Sequence, residues 1–428
     1  MTSPRDLLLA CFSAALAAVD ARTCVRDSLR QHPFDGHWHV LGVGKAAAAM
    51  ALGVRDALGI AIVDACVVVP KGHTPRDFPL AASSWQRIEA AHPMPDASSL
   101  AAGAAVLEHI ARLPREACVL CLISGGASSL LEAPRAGITL ADVRCVNRWA
   151  LASGAPITTI NAVRRRLSRV KGGGLAAALG DRRVVALMIS DVPGDDPRTL
   201  GSGLLHSPSA TWGKAASGAT AARPRALDLR SLPPEVQEIV RRAGPSPRSG
   251  ALRQNVATRV VATSGVACRA AAQAAKARGL AAVIGRGRFS GAAAVLGQRF
   301  AAKATRLPRR VVFVQGGEST VNLPLRPGRG GRNQHLALSA AFAFEMQGHR
   351  DGWLLAAGTD GIDGATDDAG ALVDGTTCER GRDAGYDPRV SLAAADSGTF
   401  LEASGDLVHT GATLTNVGDI VLAMRWEA

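Results

Sequence analysis

The chain has 428 residues, enough for two or three domains with full cores. Apolar residues make up 47% and aromatics only 4%, which predicts a globular interior built from small aliphatic side chains. The net charge of +13 is spread along the chain, and its densest patch, Arg164 to Arg169, lacks interleaved aromatics; this argues against nucleic-acid binding and for attraction of anionic metabolites.

The first segment is apolar after Arg5, but Asp6 interrupts the stretch where a signal peptide would carry positive charge alone. It reads as one amphipathic helix through Val25, and no run reaches the length of a membrane span. Apolar strand-like runs then recur at 37–44, 65–70, 117–124, 183–190, 310–317 and 352–359. Ala-rich helical stretches at 45–58, 98–112 and 264–278 separate them. Continuous apolar strands alternating with helices predict a parallel α/β sheet covered on both faces, with ligands at the carboxyl ends of the strands. The Pro, Ser and Gly content of 203–252 reads as a linker around one short helix, Pro234 to Ala243, and places the domain boundary there: 1–240 and 241–428. Of the eight cysteines, Cys118 and Cys121 have CxxC spacing, but they lie in a strand-like run that turns their sulfurs to opposite faces. Reduced thiols in a cytoplasmic protein are expected, with no zinc site.

The chemistry-bearing residues cluster where strands end. Gly42-Val-Gly44-Lys45 follows the first strand and matches G-x-G-x-x-A loosely. Only six of the 49 basic residues are lysines, so a Lys inside a Gly-rich motif is expected to be needed as Lys; Lys45 and Lys171 both sit that way. Ser124-Gly125-Gly126-Ala-Ser128 can form a nest of backbone donors. Asn161 to Gly174 joins Arg164 to Lys171-Gly172-Gly173-Gly174, more glycine than a helix cap requires. Asp191 leaves its strand first and suits a base or metal ligand, whereas Asp195 and Asp196 also fit a turn. Gly316 to Ala341 carries Gly317, Glu318, Arg332, Asn333 and Gln334, and Leu354 to Asp374 carries Asp360, Asp363, Asp367 and Asp368, with Asp360 favoured as the first after its strand. Each cluster has a plain structural alternative in turns, caps and packing. Together, glycines that admit phosphate and carboxylates that hold Mg²⁺ point to phosphoryl transfer.

The stretches GVGKAAAAM, AHPMPD, LISGGASSLL, INAVRRRLSRVKGGGLA, ISDVPGDDPRTLGSG, GGESTVNL, GRGGRNQHLAL, GTDGIDGATDDAGALVD and TGATLTNVGDI, in this order, resemble the class II glycerate 2-kinases, which carry a C-terminal MOFRL domain. The resemblance spans nearly the whole chain. It implies a Rossmann-like α/β/α domain plus a smaller α/β domain with the active site in the cleft, and ATP-dependent phosphorylation of the D-glycerate 2-hydroxyl. Lys45 and Arg332 match the family's site lysine and arginine. Asp191 or Asp360 is expected to hold Mg²⁺ or take the hydroxyl proton, and Arg332 or Arg164 to pair with the glycerate carboxylate. Gly42, Gly44, Ser124, Gly125, Gly126, Lys171, Gly172, Gly317, Glu318 and Asn333 are expected to surround ATP. The partners are D-glycerate and ATP, with no nucleic acid and no membrane; a homodimer is left open. Related sequences are often labelled hydroxypyruvate reductase, so NAD(P)H-dependent reduction is one rival. A nucleotide-binding relative without catalysis is the other.

Overall fold

The computed structural model describes residues 3–152, 155–207, 227–245 and 256–426. Part of the 203–252 linker therefore lies outside the described residues. The N-terminal segment is two helices, α1 (Pro4–Ala18) and α2 (Ala21–Gln31), rather than one through Val25. The break at Val19-Asp20 puts a residue of helix-starting type directly before α2. The Thr415 hydroxyl donates to the Val19 carbonyl (2.6 Å), which satisfies a group that the ending helix leaves open. Among the described residues no single helix is long and apolar enough to cross a membrane, although α1 and α2 together pass that test of length and composition.

Two compact units result, Ala21–Val261 and Met1–Asp20 with Ala262–Ala428. The compact division thus falls near residue 261, whereas the sequence reading draws its line at 240/241. The unit Ala21–Val261 contains β1 (Trp38–Val43), α3 (Ala47–Leu58), β2 (Ile62–Pro70), β3 (Trp85–Ala90), α4 (Ala97–Arg112), β4 (Cys118–Ile123) and α5 (Ala127–Leu130). After these come α6 (Leu140–Ala152), α7 (Ile157–Leu167), α8 (Gly174–Leu179), β5 (Arg183–Ser190), α9 (Pro234–Ala243) and β6 (Ala257–Thr263), which runs across the division. The sheet order is β3-β2-β1-β4-β5-β6, and β3–β2, β2–β1, β1–β4 and β4–β5 run parallel. Strands buried on both faces need no polar alternation, which is why their apolar runs are continuous. One face carries Leu41, Val43, Cys66, Val68, Cys121 and Ile123 against Val106 and Ile110 of α4. The low aromatic content has a geometric counterpart: a Cβ on Gly53 of α3 would stand 2.3 Å from the Arg22 carbonyl of α2. Helices this close need small residues. All eight cysteines are free. Burial pushes the Cys66 and Cys121 thiols up to about 12, so these two are inert core thiols.

The other unit adds to α1 the elements α10 (Ser264–Lys276), β7 (Ala281–Ile284), β8 (Phe289–Ala292), α11 (Ala293–Arg306), β9 (Val311–Thr320), α12 (Arg332–Met346) and β10 (Gly352–Gly358). It continues through β11 (Gly370–Asp374), α13 (Thr377–Asp383), α14 (Pro388–Ala393), α15 (Ser397–Ala403), β12 (Leu407–Val408) and β13 (Asp419–Arg425). Here the expectation of parallel strands fails. The order is β12-β11-β10-β13-β9-β7 with β8 also on β9; β13 lies antiparallel between β9 and β10, and only the β7–β9 and β8–β9 pairs are parallel. The last strand inserts between two that are successive in the apolar pattern, a pairing that periodicity does not encode.

Candidate active site

In a sheet of order 3-2-1-4-5-6, the direction of winding reverses between β1 and β4, and ligands sit at the carboxyl ends of the strands there. Both strands leave into Gly-rich turns. Val43 and Ile123 are register partners, so Gly44-Lys45 and Ser124-Gly125-Gly126 lie side by side. The Ser124 N–H donates to the Val43 carbonyl (3.1 Å) and the Lys45 N–H to the Gly125 carbonyl (2.9 Å). The Ala46 N–H, at the start of α3, donates to Ser124 Oγ (3.0 Å). Gly42 passes under this junction, where a Cβ would stand 3.1 Å from a Val67 methyl. Gly126 (φ +84°) has the Lys45 Cγ and the His92 imidazole 3.3 and 3.0 Å from where its Cβ would be. The Lys45 side chain therefore runs along a bare backbone beside His92, just before a helix N-terminus whose dipole favours anions.

Gly44 explains why this turn admits no side chain. Its φ is +135°, and a Cβ would lie 2.2 Å from Ser124 Oγ and 2.6 Å from the Ser124 carbonyl. Gly44→Ala is expected to cost roughly 1–3 kcal/mol of strain and to separate the two turns. Urea unfolding together with ATP binding would register both effects, and a variant as stable as the parent with normal ATP binding would contradict the junction.

Asp191 follows the last residue of β5 and is half-buried. Asp196 is taken by Arg198 (2.6 Å), and Asp195 occupies a positive-φ turn position (φ +51°). Lys171 does not present its amine to solvent: it forms an ion pair with Glu132, with side chains only 1% and 4% exposed. Beside it the Gly172 and Gly173 N–H groups donate to the Ser202 and Gly203 carbonyls (3.1 and 2.7 Å). In this geometry Lys171 and Gly172 brace one loop against another.

In the unit with Ala262–Ala428, α12 and the Asp-rich stretch do come together. Arg332 donates to both carboxylate oxygens of Asp419 (2.7 and 3.0 Å) and to Glu318 (2.6 Å). Burial works against its charge, but Asp419 and Glu318 outweigh it and hold the guanidinium above its ordinary range. Among the described residues three of its N–H groups are used, which leaves two for a ligand. Gly317 makes room for β8, since a Cβ there would lie 2.3 Å from the Phe289 carbonyl. Asp363 caps the start of α12: its carboxylate accepts from the Asn333 and Gln334 N–H groups (3.0 and 2.8 Å) and from Asn333 Nδ2 (3.2 Å). Asp360 is buried, with Oδ1 accepting from the Ile362 N–H (3.3 Å). Gln334 and His409 meet at Asp368 (3.3 and 2.7 Å), whereas Asp367 is exposed. Asp419, Glu132 and His92 were not singled out from the sequence; each lies in or near a quoted stretch, but nothing local marks its partner.

Burial pushes the Asp363 carboxyl up to about 7, against the N–H donors of Gln334 and Asn333. A carboxyl with a folded pKa above its ordinary value of about 3.9 binds its proton more tightly in the fold. That stabilising contribution is complete below about pH 4 and is lost as pH rises through about 7. Stability is therefore expected to decline over this window, and Asp363→Asn to flatten the decline. Urea midpoints across the window would check it; equal slopes for parent and variant would refute it.

Among the described residues, no group of three or more His, Cys, Asp or Glu could hold a metal ion. Asp191 and Asp360 each stand as single carboxylates at a strand end, in different compact units. A lone strand-end carboxylate does not make a protein cage, whereas Mg²⁺ keeps several waters and needs only one or two carboxylates beside substrate phosphates.

Two family profiles match the chain: a domain of unknown function (DUF4147) over residues 7–241 and the MOFRL family over residues 311–419. The chain is 40% identical, over 98% of its length and 94% of the other's, to an Agrobacterium vitis protein named "Putative hydroxypyruvate reductase". It is 36% identical, over 90% of both, to a Thermotoga maritima protein named "D-glycerate 2-kinase". The crystal structure of a glycerate kinase from Thermotoga maritima superposes with a TM-score of 0.78 at 32% identity, over 99% of this chain and all of that one. The fold expected from the resemblance is thus the one observed, and the chain belongs to the MOFRL-domain glycerate 2-kinase family.

Proposed function

We propose that this chain transfers the γ-phosphoryl group of ATP to the 2-hydroxyl of D-glycerate, giving 2-phosphoglycerate and ADP. The observation that carries this reading is the pair of Gly-rich turns joined at the switch point between β1 and β4, with Lys45 running along Gly126. Phosphoryl transfer needs positioning and charge stabilisation more than covalent chemistry from the protein. The bond from the glycerate O2 to the γ-phosphorus forms as the bond to the bridging oxygen breaks, ADP leaves, and the hydroxyl proton passes to a carboxylate. Asp191 or Asp360 takes that proton or holds Mg²⁺. Lys45 stabilises charge on the transferring group, and the resemblance gives Arg332 the same task. Gly42, Gly44, Ser124, Gly125 and Gly126 shape the turn that admits phosphate, while Gly317, Glu318 and Asn333 set the position of Arg332. Mg²⁺, when bound, neutralises phosphate charge. The free cysteines suit a reducing compartment, which we take to be the cytoplasm.

The name of the Agrobacterium vitis relative and the 3-2-1-4-5-6 sheet favour a second reading, NAD(P)H-dependent reduction of hydroxypyruvate. Against it, β2 ends in Val69-Pro70 and is followed by Lys71, so no carboxylate stands where a ribose-binding acid belongs. A coupled ADP-release assay with D-glycerate, ATP and Mg²⁺, with the product identified, decides. We expect 2-phosphoglycerate. Formation of 3-phosphoglycerate would overturn the position of transfer, and NADH oxidation with hydroxypyruvate without ADP release would overturn the kinase.

A further inference from the structure

One buried polar group lies in the unit Ala21–Val261, beyond the Lys45 turn. Asn161 and Arg164 stand three residues apart on α7 and so share a face. Asn161 is 1% exposed, and its Oδ1 accepts from the Ser202 hydroxyl (2.9 Å). The Ser202 oxygen in turn meets Ser128 Oγ at 2.8 Å. Because the Ser202 proton is committed to Asn161, Ser128 is the donor in that second contact. This leaves Asn161 Nδ2 as a buried donor with no acceptor among the described residues. Arg164 is similar: Nη2 donates to Asn147 Oδ1 (2.7 Å), whereas Nε is buried without an acceptor among the described residues. Two unmet donors in one group are costly unless a ligand supplies the acceptor.

The charge balance points the same way. Glu132 is committed to Lys171, so the Arg164 guanidinium is the surplus charge beside that pair. Backbone strain marks the place as well. Ser202 adopts φ +60° between Gly201 (+58°) and Gly203 (+73°), a conformation that costs a non-glycine residue energy, and its hydroxyl is what this turn delivers to Asn161. The group adjoins the expected phosphoryl site through Ser128, which lies two residues past Gly126. Unmet donors and a surplus cation describe an anion subsite.

We propose that Asn161 Nδ2 and Arg164 Nε bind the carboxylate of the acceptor and set its specificity, with Ser202 as the residue that positions Asn161. This rests on the kinase reading above. The planar donors match a carboxylate, and ATP phosphate is the other anion to be told apart from it. The experiment compares the wild type with Asn161→Leu, Arg164→Met and Arg164→Lys, using D-glycerate and its neutral amide, glyceramide, at varied ATP. Folding is checked by thermal melting. We expect Asn161→Leu and Arg164→Met each to raise the KM for D-glycerate about 10–100-fold, the loss typical of a hydrogen bond to a charged group. The KM for ATP should hold, kcat/KM for glyceramide should hardly move, and Arg164→Lys should recover part of the loss. Equal losses on both acceptors, or a rise in the KM for ATP instead, would overturn the assignment. Unchanged D-glycerate KM in an active, folded set of variants would also overturn it and leave the kinase reading standing. A wild type that releases no ADP with D-glycerate sinks the kinase reading itself, and this assignment with it.

Discussion

Lys45→Ala is expected to lower ADP release with D-glycerate by about 10²–10³-fold, with little change in melting temperature. The argument separates the two jobs of this residue. Its backbone joins the turns through the Lys45 N–H and the Gly125 carbonyl, and alanine keeps that bond. Its side chain extends along Gly126 and His92, where its loss removes an ammonium without opening the core. A charge that acts on the transferring phosphoryl group lowers the barrier more than it tightens ground-state binding, so the loss should fall mainly on kcat. Arginine should not restore full activity, because a planar fork must fit where Gly126 leaves room for a narrow stem. Steady-state kinetics with melting curves would test this, and a folded Lys45→Ala enzyme keeping more than about a tenth of the parent rate would end the assignment.

Lys171→Met is expected to cost roughly 3–5 kcal/mol of stability, the typical loss when one partner of a buried ion pair is removed. Lys171 and Glu132 are both buried, and burial lowers the lysine pKa while Glu132 works to raise it. The single variant strands a carboxylate, whereas Lys171→Met combined with Glu132→Leu removes both charges and should recover most of the stability. Urea unfolding of parent, single and double variants completes the cycle. A single variant as stable as the parent would show that the pair is not what holds the 171–174 loop.

The two residues also divide what could be read locally from what could not. The continuous apolar runs over β1, β4, β5, β9 and β10 and the helix Pro234–Ala243 were legible to within a residue or a few, because strand burial and helix propensity act over short stretches. The edge elements β3, β7 and β8 were not read as strands, since they are partly exposed and carry no strong alternation. β13 is buried and apolar, yet its place between β9 and β10 depends on pairings far along the chain.

The sequence by itself determined the conformations of the Gly-rich turns, their position at strand ends and the family to which the ordered motifs point. Those are local matters of φ, residue size and hydrophobic period. Only the tertiary structure decided which charges meet: Arg332 with Asp419, 87 residues away, Lys171 with Glu132, 39 residues away, and Asp363 with the first turn of α12, 30 residues from Asn333. It also moved α1 into the compact unit of the C-terminal half. A charged side chain takes whatever partner the strand order brings within reach, and strand order is set by burial of whole faces, a non-local free energy that no single motif contains.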